Sequence, residues 1–220
     1  MKISRLLSPI HISMTIAALF LCVSMGSQDA DAESISATTA IRATIDKTVG
    51  ILQDVELAKE ENLAKRRELL RQTIFTRFDF DRMSRGAIGR AWRKFSPDQK
   101  KRFTELFKQV LETSYMDKVE GYQGESVEFT KEVKIGRTVR VDSVVQSKGQ
   151  EYALSYRMLH SNGEWRVFDV IIEGISLIAN YRPQFKQILQ RGNVEGLLEK
   201  LKMKINQTSK NPMNKSEVKA

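Results

Sequence analysis

Few residues in this 220-residue chain could do covalent chemistry. It has one cysteine, Cys22, and two histidines, His11 and His160. A single thiol excludes an internal disulfide and a cysteine-rich zinc site, and two distant histidines do not make a paired-His metal site. His160 precedes Ser161-Asn162-Gly163, a turn sequence, and reads as a solvent-facing hairpin residue; no Gly-x-Ser-x-Gly motif gives it a nucleophile to activate. Gly86-Ala87-Ile88-Gly89 completes neither of the glycine-rich phosphate loops. Carboxylates remain. Asp169 lies in an apolar stretch where burial could raise its pKa and make it a general base, and Asp142 is the other candidate proton acceptor for a small apolar substrate. Pairing of Asp169 with Arg140, Arg157 or Arg166 is the plainer expectation. Asp79 and Asp81, which follow Arg77, read as capping or arginine-paired groups. No second catalytic group can be named beside these, so the expectation is no enzyme, no catalytic residue, no metal and no cofactor.

The remaining sequence is organised as a leader, one domain and a tail. Lys2 and Arg5 precede an apolar run from Ile10 to Val23 and then Ala30-Asp31-Ala32, the pattern of a cleaved signal peptide over residues 1–32 that directs export. Cys22 is no lipid-attachment site, because Leu21 stands where a small residue is needed. Residues 33–205 form the expected single domain. From Asn206 to Ala220 hydrophobicity collapses into Lys, Asn and Ser, the composition of a disordered basic tail.

Within the domain the apolar period changes twice. Ile45, Val49, Leu52 and Val55 mark one helix from Ile41, and Leu69, Leu70, Ile74 and Phe75 mark a second from Leu63 to about Arg77. Phe78 to Trp92 reads as one or two compact helices. Ser96-Pro97-Asp98-Gln99 is a capping box with proline at the first helical position, opening a helix to about Val119. Past Gly121 the period becomes two, in Val127 and Phe129, in Val139 and Val141, and in Tyr152, Leu154, Tyr156 and Met158, with turns at Ser147-Lys148-Gly149 and Ser161-Asn162-Gly163. Trp165 to Ile172 is apolar on both parities, which predicts a strand covered on both faces. Helices return around Leu177 to Leu189, stopping at Gly192, and from Val194 to Ile205. Helices, an antiparallel meander of about four strands and more helices make the class α+β.

Phe78-Asp79-Phe80-Asp81, Gly89-Arg90-Ala91-Trp92-Arg93, Ser96-Pro97-Asp98-Gln99, Trp165-Arg166-Val167-Phe168-Asp169-Val170, Glu173-Gly174-Ile175-Ser176-Leu177 and Asn180-Tyr181-Arg182 stand in an order and spacing that resembles the MlaC family. The resemblance runs from about Ile41 to Leu201. It implies a periplasmic phospholipid carrier, also called a toluene-tolerance protein, in which a twisted sheet and helices enclose an apolar cavity for acyl chains. It further implies exchange of lipid with two partners: an inner-membrane ABC transporter carrying an MCE-domain protein, and an outer-membrane lipoprotein associated with porins. A related branch accompanies hopanoid synthesis. Arg182, by family position, would brace its region. Two departures are the basic tail and Pro183, which would lie in the first turn of a helix beginning near Asn180.

A lipid carrier needs apolar lining and almost no chemistry. The candidate lining comprises Phe78, Phe80, Met83, Trp92, Phe103, Phe107 and Tyr115 from the helical half. The sheet would add Tyr152, Leu154, Tyr156, Met158, Val170 and Ile172, and Ile175, Leu177 and Tyr181 would close one side. Periodicity does not separate lining from ordinary core at these positions. The formal charge of +9 is spread over Lys65-Arg66-Arg67, Arg90 to Arg93, Lys100-Lys101-Arg102 and Lys200 to Lys204. An exported chain does not meet cytoplasmic nucleic acid, so this charge reads as solvated surface, or as a docking surface for acidic partners or anionic headgroups. A diffusing shuttle is expected to be a monomer.

Overall fold

The structure, a computed structural model, describes residues 35–210. The predicted leader and the last ten residues of the predicted tail lie outside them. Helices α1 (Ala37–Gln53) and α2 (Leu63–Phe75) come first, then α3 (Phe80–Ile88), a 3-10 turn over Gly89–Lys94, and the long α4 (Pro97–Glu120). Five strands follow, β1 (Ser126–Ile135), β2 (Thr138–Ser147), β3 (Gln150–Ser161), β4 (Glu164–Ile172) and the two-residue β5 (Ile175–Ser176). Helices α5 (Leu177–Arg191) and α6 (Val194–Lys210) complete the domain. The class is α+β as expected, with one short strand more than the four foreseen.

Local chemistry explains the boundaries. Ser96 Oγ accepts from Gln99 N at 3.2 Å while Gln99 returns a bond to Ser96 N at 3.0 Å, so the capping box starts α4 at Pro97. Asp79 caps α3 by accepting from Arg82 N at 2.9 Å, and its carboxylate also lies 3.4 Å from Arg82 Nε. Ser36 caps α1, which begins at Ala37, four residues before the expected start at Ile41. Helix α6 continues five residues past Ile205. Helix α5 begins at Leu177, so Pro183 is its seventh residue and not part of its first turn. There it offers no N–H to the Ala179 carbonyl, a loss of about 3 kcal/mol in a helix interior that tertiary packing has to offset.

The strands pair antiparallel in sequence order, β1-β2-β3-β4-β5. Asn162 and Gly163 both take positive φ, 52° and 79°, the pairing a two-residue hairpin needs to match the twist of its strands. Bulges interrupt the register twice, at Thr130 in β1 and at Phe168 in β4. The second corrects the reading of β4. Trp165 and Val167 lie opposite His160 and Met158, and beyond the extra residue Val170 and Ile172 lie opposite Tyr156 and Leu154. All four therefore share one face, and the apolar residues of both parities come from the bulge. The outer edge of β4 is occupied by β5 at one end and at the other by the backbone of Arg77–Asp79, through Asp79 N to Val167 O and Val167 N to Arg77 O, both 2.8 Å. Among the described residues no strand pairs with the outer edge of β1, which carries exposed Glu128, Lys131, Glu132 and Lys134.

Three apolar clusters result. The largest joins α3, α4, α5 and α6 around Phe103, Phe107, Leu197 and Leu198, all fully buried. A second puts Ala37 and Ile41 of α1 over Val141, Met158 and Val167 of the sheet. A third gathers Leu52, Leu70 and Met116. Phe78 and Leu177 pack against both of the first two.

Candidate functional site

One face of the sheet, the face that α1 covers, carries an apolar strip whose burial changes along its length. Across β2, β3 and β4 it reads Val139, Met158 and Val167, then Val141, Tyr156 and Val170, then Ser143, Leu154 and Ile172, with Val145 and Tyr152 last. Met158 and Val141 are wholly buried and Tyr156 and Val170 nearly so, Leu154 is half-buried, and Tyr152 and Ile172 are 41% and 39% exposed. On β1, Val127 and Phe129 extend the strip opposite Val145 and Ser143, and Ile175 of β5, 46% exposed, extends it beyond Ile172. The register thus builds a continuous apolar surface with one end under α1 and the other open to water. An exposed contiguous surface of this kind marks a binding region more often than leftover core.

The predicted lining residues divide between this strip and the helical core. Tyr156, Met158 and Val170 lie in the strip's buried part, Leu154 at its middle, and Tyr152, Ile172 and Ile175 at its open end. Met83, Trp92, Phe103, Phe107 and Tyr181 are buried in the helical cluster, with Phe80 and Tyr115 packed against it. Their rings touch one another: Trp92 to Phe103 at 5.9 Å between centroids, Phe103 to Phe107 at 5.6 Å, Phe107 to Tyr181 at 5.1 Å. Phe78 and Leu177 sit where the two groups meet. The strip also recruits Val127, Phe129, Val139, Val141 and Val145. Their alternation is plain in the sequence, yet only the strand register shows that they continue the Tyr152 to Met158 row.

Hydroxyls punctuate the apolar interior and all are held neutral. Burial pushes the Tyr156 phenol up, with a bond to Ser143 acting the other way; Ser143 Oγ in turn donates to Leu154 O at 2.9 Å. Tyr115 is pushed up to about 12, by burial first and then by Tyr181. Burial raises Tyr181 as well, against bonds to Ser114 and Tyr115. At its β1 margin the strip meets charge: Glu132 and Lys134 lie opposite Val141 and Val139, and the Arg42 guanidinium stands 4.5 Å over the Phe129 ring.

The carboxylates suggested for proton transfer are committed elsewhere. Asp169 is 3% exposed, accepts from Ser176 Oγ at 2.7 Å and from Ile178 N at 3.2 Å, and lies 3.7 Å from Arg157. It anchors the start of α5, and the expected arginine partner is Arg157. Burial would raise Asp142, but bonds from Arg140, at 2.8 and 2.9 Å, and from Ser155 outweigh it and hold the carboxyl below its ordinary value. That is the wrong direction for a general base at neutral pH. His160 is exposed at the end of β3, edge-on to Trp165 at 5.2 Å. Among the described residues no group of three or more His, Cys, Asp or Glu is placed to hold a metal, and no helix is long and apolar enough to cross a membrane.

Two clefts, of about 730 and 670 Å³, lie elsewhere and share Gly89, Arg90 and Arg182 as walls. Trp92 borders the first; no other predicted lining residue touches either. Arg182 donates from Nε to Gly86 O at 3.0 Å, which ties α5 to α3 in the bracing role expected of it.

Comparison with known proteins places this geometry. The family model described as MlaC protein matches residues 42–203. Over 148 residues the chain is 21% identical to the "Intermembrane phospholipid transport system binding protein MlaC" of Haemophilus influenzae, covering 64% of this chain and 69% of that protein. Over 101 residues it is 34% identical to "Toluene tolerance protein ttg2D" of Pseudomonas putida, covering 45% and 47% respectively. A solved phospholipid-binding protein from Ralstonia solanacearum, in complex with a phospholipid, superposes with a TM-score of 0.71 and 29% identity over 79% of this chain and 99% of that one.

Proposed function

This chain belongs to the MlaC family, and we propose on that premise that it binds a phospholipid and carries it, without catalysis, between membranes. The observation that carries the reading is the apolar strip that runs without interruption from the exposed Tyr152, Ile172 and Ile175 to the buried Met158 and Val167. Acyl chains lie along this face, entering at its open end, and the headgroup stays in water.

Energetics favour such a device. At about 0.8 kcal/mol per CH₂, exposing some thirty methylenes of two chains to water costs on the order of 20 kcal/mol or more, so free transfer is very slow. A surface that replaces water along the chains removes most of that barrier. The Tyr156 phenol, raised by burial, stays neutral in the buried part of the strip, so acyl chains there meet no phenolate. The relatives named for phospholipid transport and phospholipid binding support the same ligand.

The wider setting follows from the family and the sequence. The leader over residues 1–32 exports the chain to the periplasm, where it works as the soluble component of an ABC-type lipid transport system. It exchanges cargo with an inner-membrane MCE-domain complex and an outer-membrane lipoprotein–porin complex.

Native mass spectrometry of the chain from residue 33, purified from the periplasm without detergent, followed by lipid extraction, tests the reading. A mass increment equal to a diacyl phospholipid is the expected result, and a hopanoid would assign the chain to the related branch. A stable, empty protein that takes up no lipid from vesicles would overturn the reading.

A further inference from the structure

Charge on this chain is dispersed in sequence but not in space. No Asp or Glu occurs between Asp81 and Asp98, or between Glu173 and Glu195. The first of these stretches holds α3 after its first turn and the 3-10 turn; the second holds all of α5, and α3 packs against α5. Arg85, Arg90, Arg93 and Lys94 from one side and Arg182, Lys186 and Arg191 from the other therefore share a surface. All are exposed. Of the carboxylates that bound the two stretches, Asp98 and Glu195 both pair with Arg102, at 3.4 and 2.8 Å, and Glu173 accepts from Ala153 N. Arg85, Arg90, Arg93, Lys94 and Lys186 hold no ion pair among the described residues.

The surface is also indented. Both clefts open here, walled by Arg85, Arg90, Arg93 and Arg182 in the first and by Arg90, Lys94, Arg182 and Lys186 in the second. Gly89, at φ 66° and ψ −136°, adopts a conformation that side chains disfavour, and it walls both clefts together with Arg90 and Arg182. The Nε bond to Gly86 O fixes the Arg182 guanidinium and leaves its terminal nitrogens, which take no partner in the hydrogen bonds of the described residues, for an anion.

We infer that this α3–α5 surface docks the chain on a membrane through the phosphates of anionic phospholipids. A protein interface concentrates its energy in apolar or aromatic anchors at the centre, with charges at the rim. Here the centre is cationic and Trp92, the aromatic at its floor, is 8% exposed and engaged with Phe95 and Phe103. A layer of phosphates needs no anchor, only several cations that reach it together. Position agrees with this occupant. Ile175, at the open end of the apolar strip, lies in β5 just before α5, and Arg182 stands five residues after Leu177, about 8 Å along that helix. The basic surface would thus present that end to the bilayer, a consequence that rests on the carrier reading, whereas the docking itself rests on charge.

The test is co-sedimentation with vesicles of neutral phosphatidylcholine, alone or with about a third phosphatidylglycerol, at low and high salt. Anionic vesicles should bind the wild type, and salt that shortens the Debye length to about 3 Å should release it. Each cation near such a surface is worth roughly fivefold in binding, so Arg90→Glu with Arg93→Glu should weaken it at least thirtyfold. Lys134→Glu with Arg137→Glu, the same charge change at the exposed β1–β2 turn, should weaken it less than about threefold. Arg90→Gln with Arg93→Gln provides a milder pair, and thermal melts confirm folding of each variant. Equal loss in the two Glu pairs, equal binding to neutral vesicles, or no binding by the wild type would overturn the proposal; the last result would point to an acidic protein instead. Lipid occupancy of the same preparations, read by native mass spectrometry, separates the two readings: empty protein that still binds anionic vesicles removes the carrier and keeps the docking surface.

Discussion

Asp169 on β4 accepts a hydrogen bond from Ser176 Oγ at 2.7 Å, and through that bond the sheet sets the first turn of α5. The same carboxylate takes the N–H of Ile178, and Ser176 Oγ accepts from Ala179 N at 3.0 Å. Replacing Asp169 by Ala takes the acceptor from the half-buried Ser176 Oγ and the buried Ile178 N–H, and bonds to a charged group are worth about 1.5–3 kcal/mol. Asp169→Ala should therefore lower stability by about 2–3 kcal/mol in denaturant unfolding, with Asp169→Asn losing less. Lipid occupancy of the folded fraction should be unchanged.

The open end of the strip can be altered without touching the core. Tyr152→Asp and Ile172→Asp each place a charge where acyl chains would enter, at positions about two-fifths exposed. Co-purified lipid should fall severalfold while the melting temperature moves little. Unchanged loading in a folded variant would refute the role of the strip.

Alkaline unfolding reports on the buried phenols. The folded pKa of Tyr115 is raised to about 12, and those of Tyr156 and Tyr181 are raised as well. The native state holds these protons more tightly than the unfolded chain, so their contribution to stability is complete below pH 10. It is lost as pH rises through the folded values. Stability should decline from about pH 10 upward, and phenolate absorbance should appear together with unfolding. Tyr115→Phe should make the decline shallower.

Pro183 interrupts α5 at its seventh residue. Pro183→Ala restores a donor to Ala179 O and removes a ring clash, against a gain of chain entropy in the unfolded state. A net stabilisation of about 1–2 kcal/mol is expected. Thermal unfolding of the variant measures it directly.

Much of this architecture is legible in the residues. Ser96-Pro97-Asp98-Gln99 starts α4 where local chemistry says it should, and the turns at Lys148-Gly149 and Asn162-Gly163 fall where the period of two breaks. Long-range relations are less visible. Neither parity of Trp165 to Ile172 looks like the solvent face, because a one-residue bulge at Phe168 exchanges the faces midway, and nothing local announces it. Helix α5 starts at Leu177, where the apolar pattern returns, but nothing local announces that its cap, Ser176, is itself held by Asp169. Alternation along Tyr152, Leu154, Tyr156 and Met158 identifies a shared face, but their graded exposure depends on where α1 ends its cover. Dispersed basic residues look like ordinary solvated surface until α3 and α5 are brought together.

The bulge at Thr130 has a colloidal side. A molecule that keeps an apolar face open beside an outer strand edge has the ingredients for stacking into fibres. On β1 that edge is kinked by the extra residue and lined by exposed Glu128, Lys131, Glu132 and Lys134, so a second copy finds neither a straight row of backbone groups nor a neutral one. A chain with part of its apolar strip open to water can thus stay in solution and still resist polymerisation.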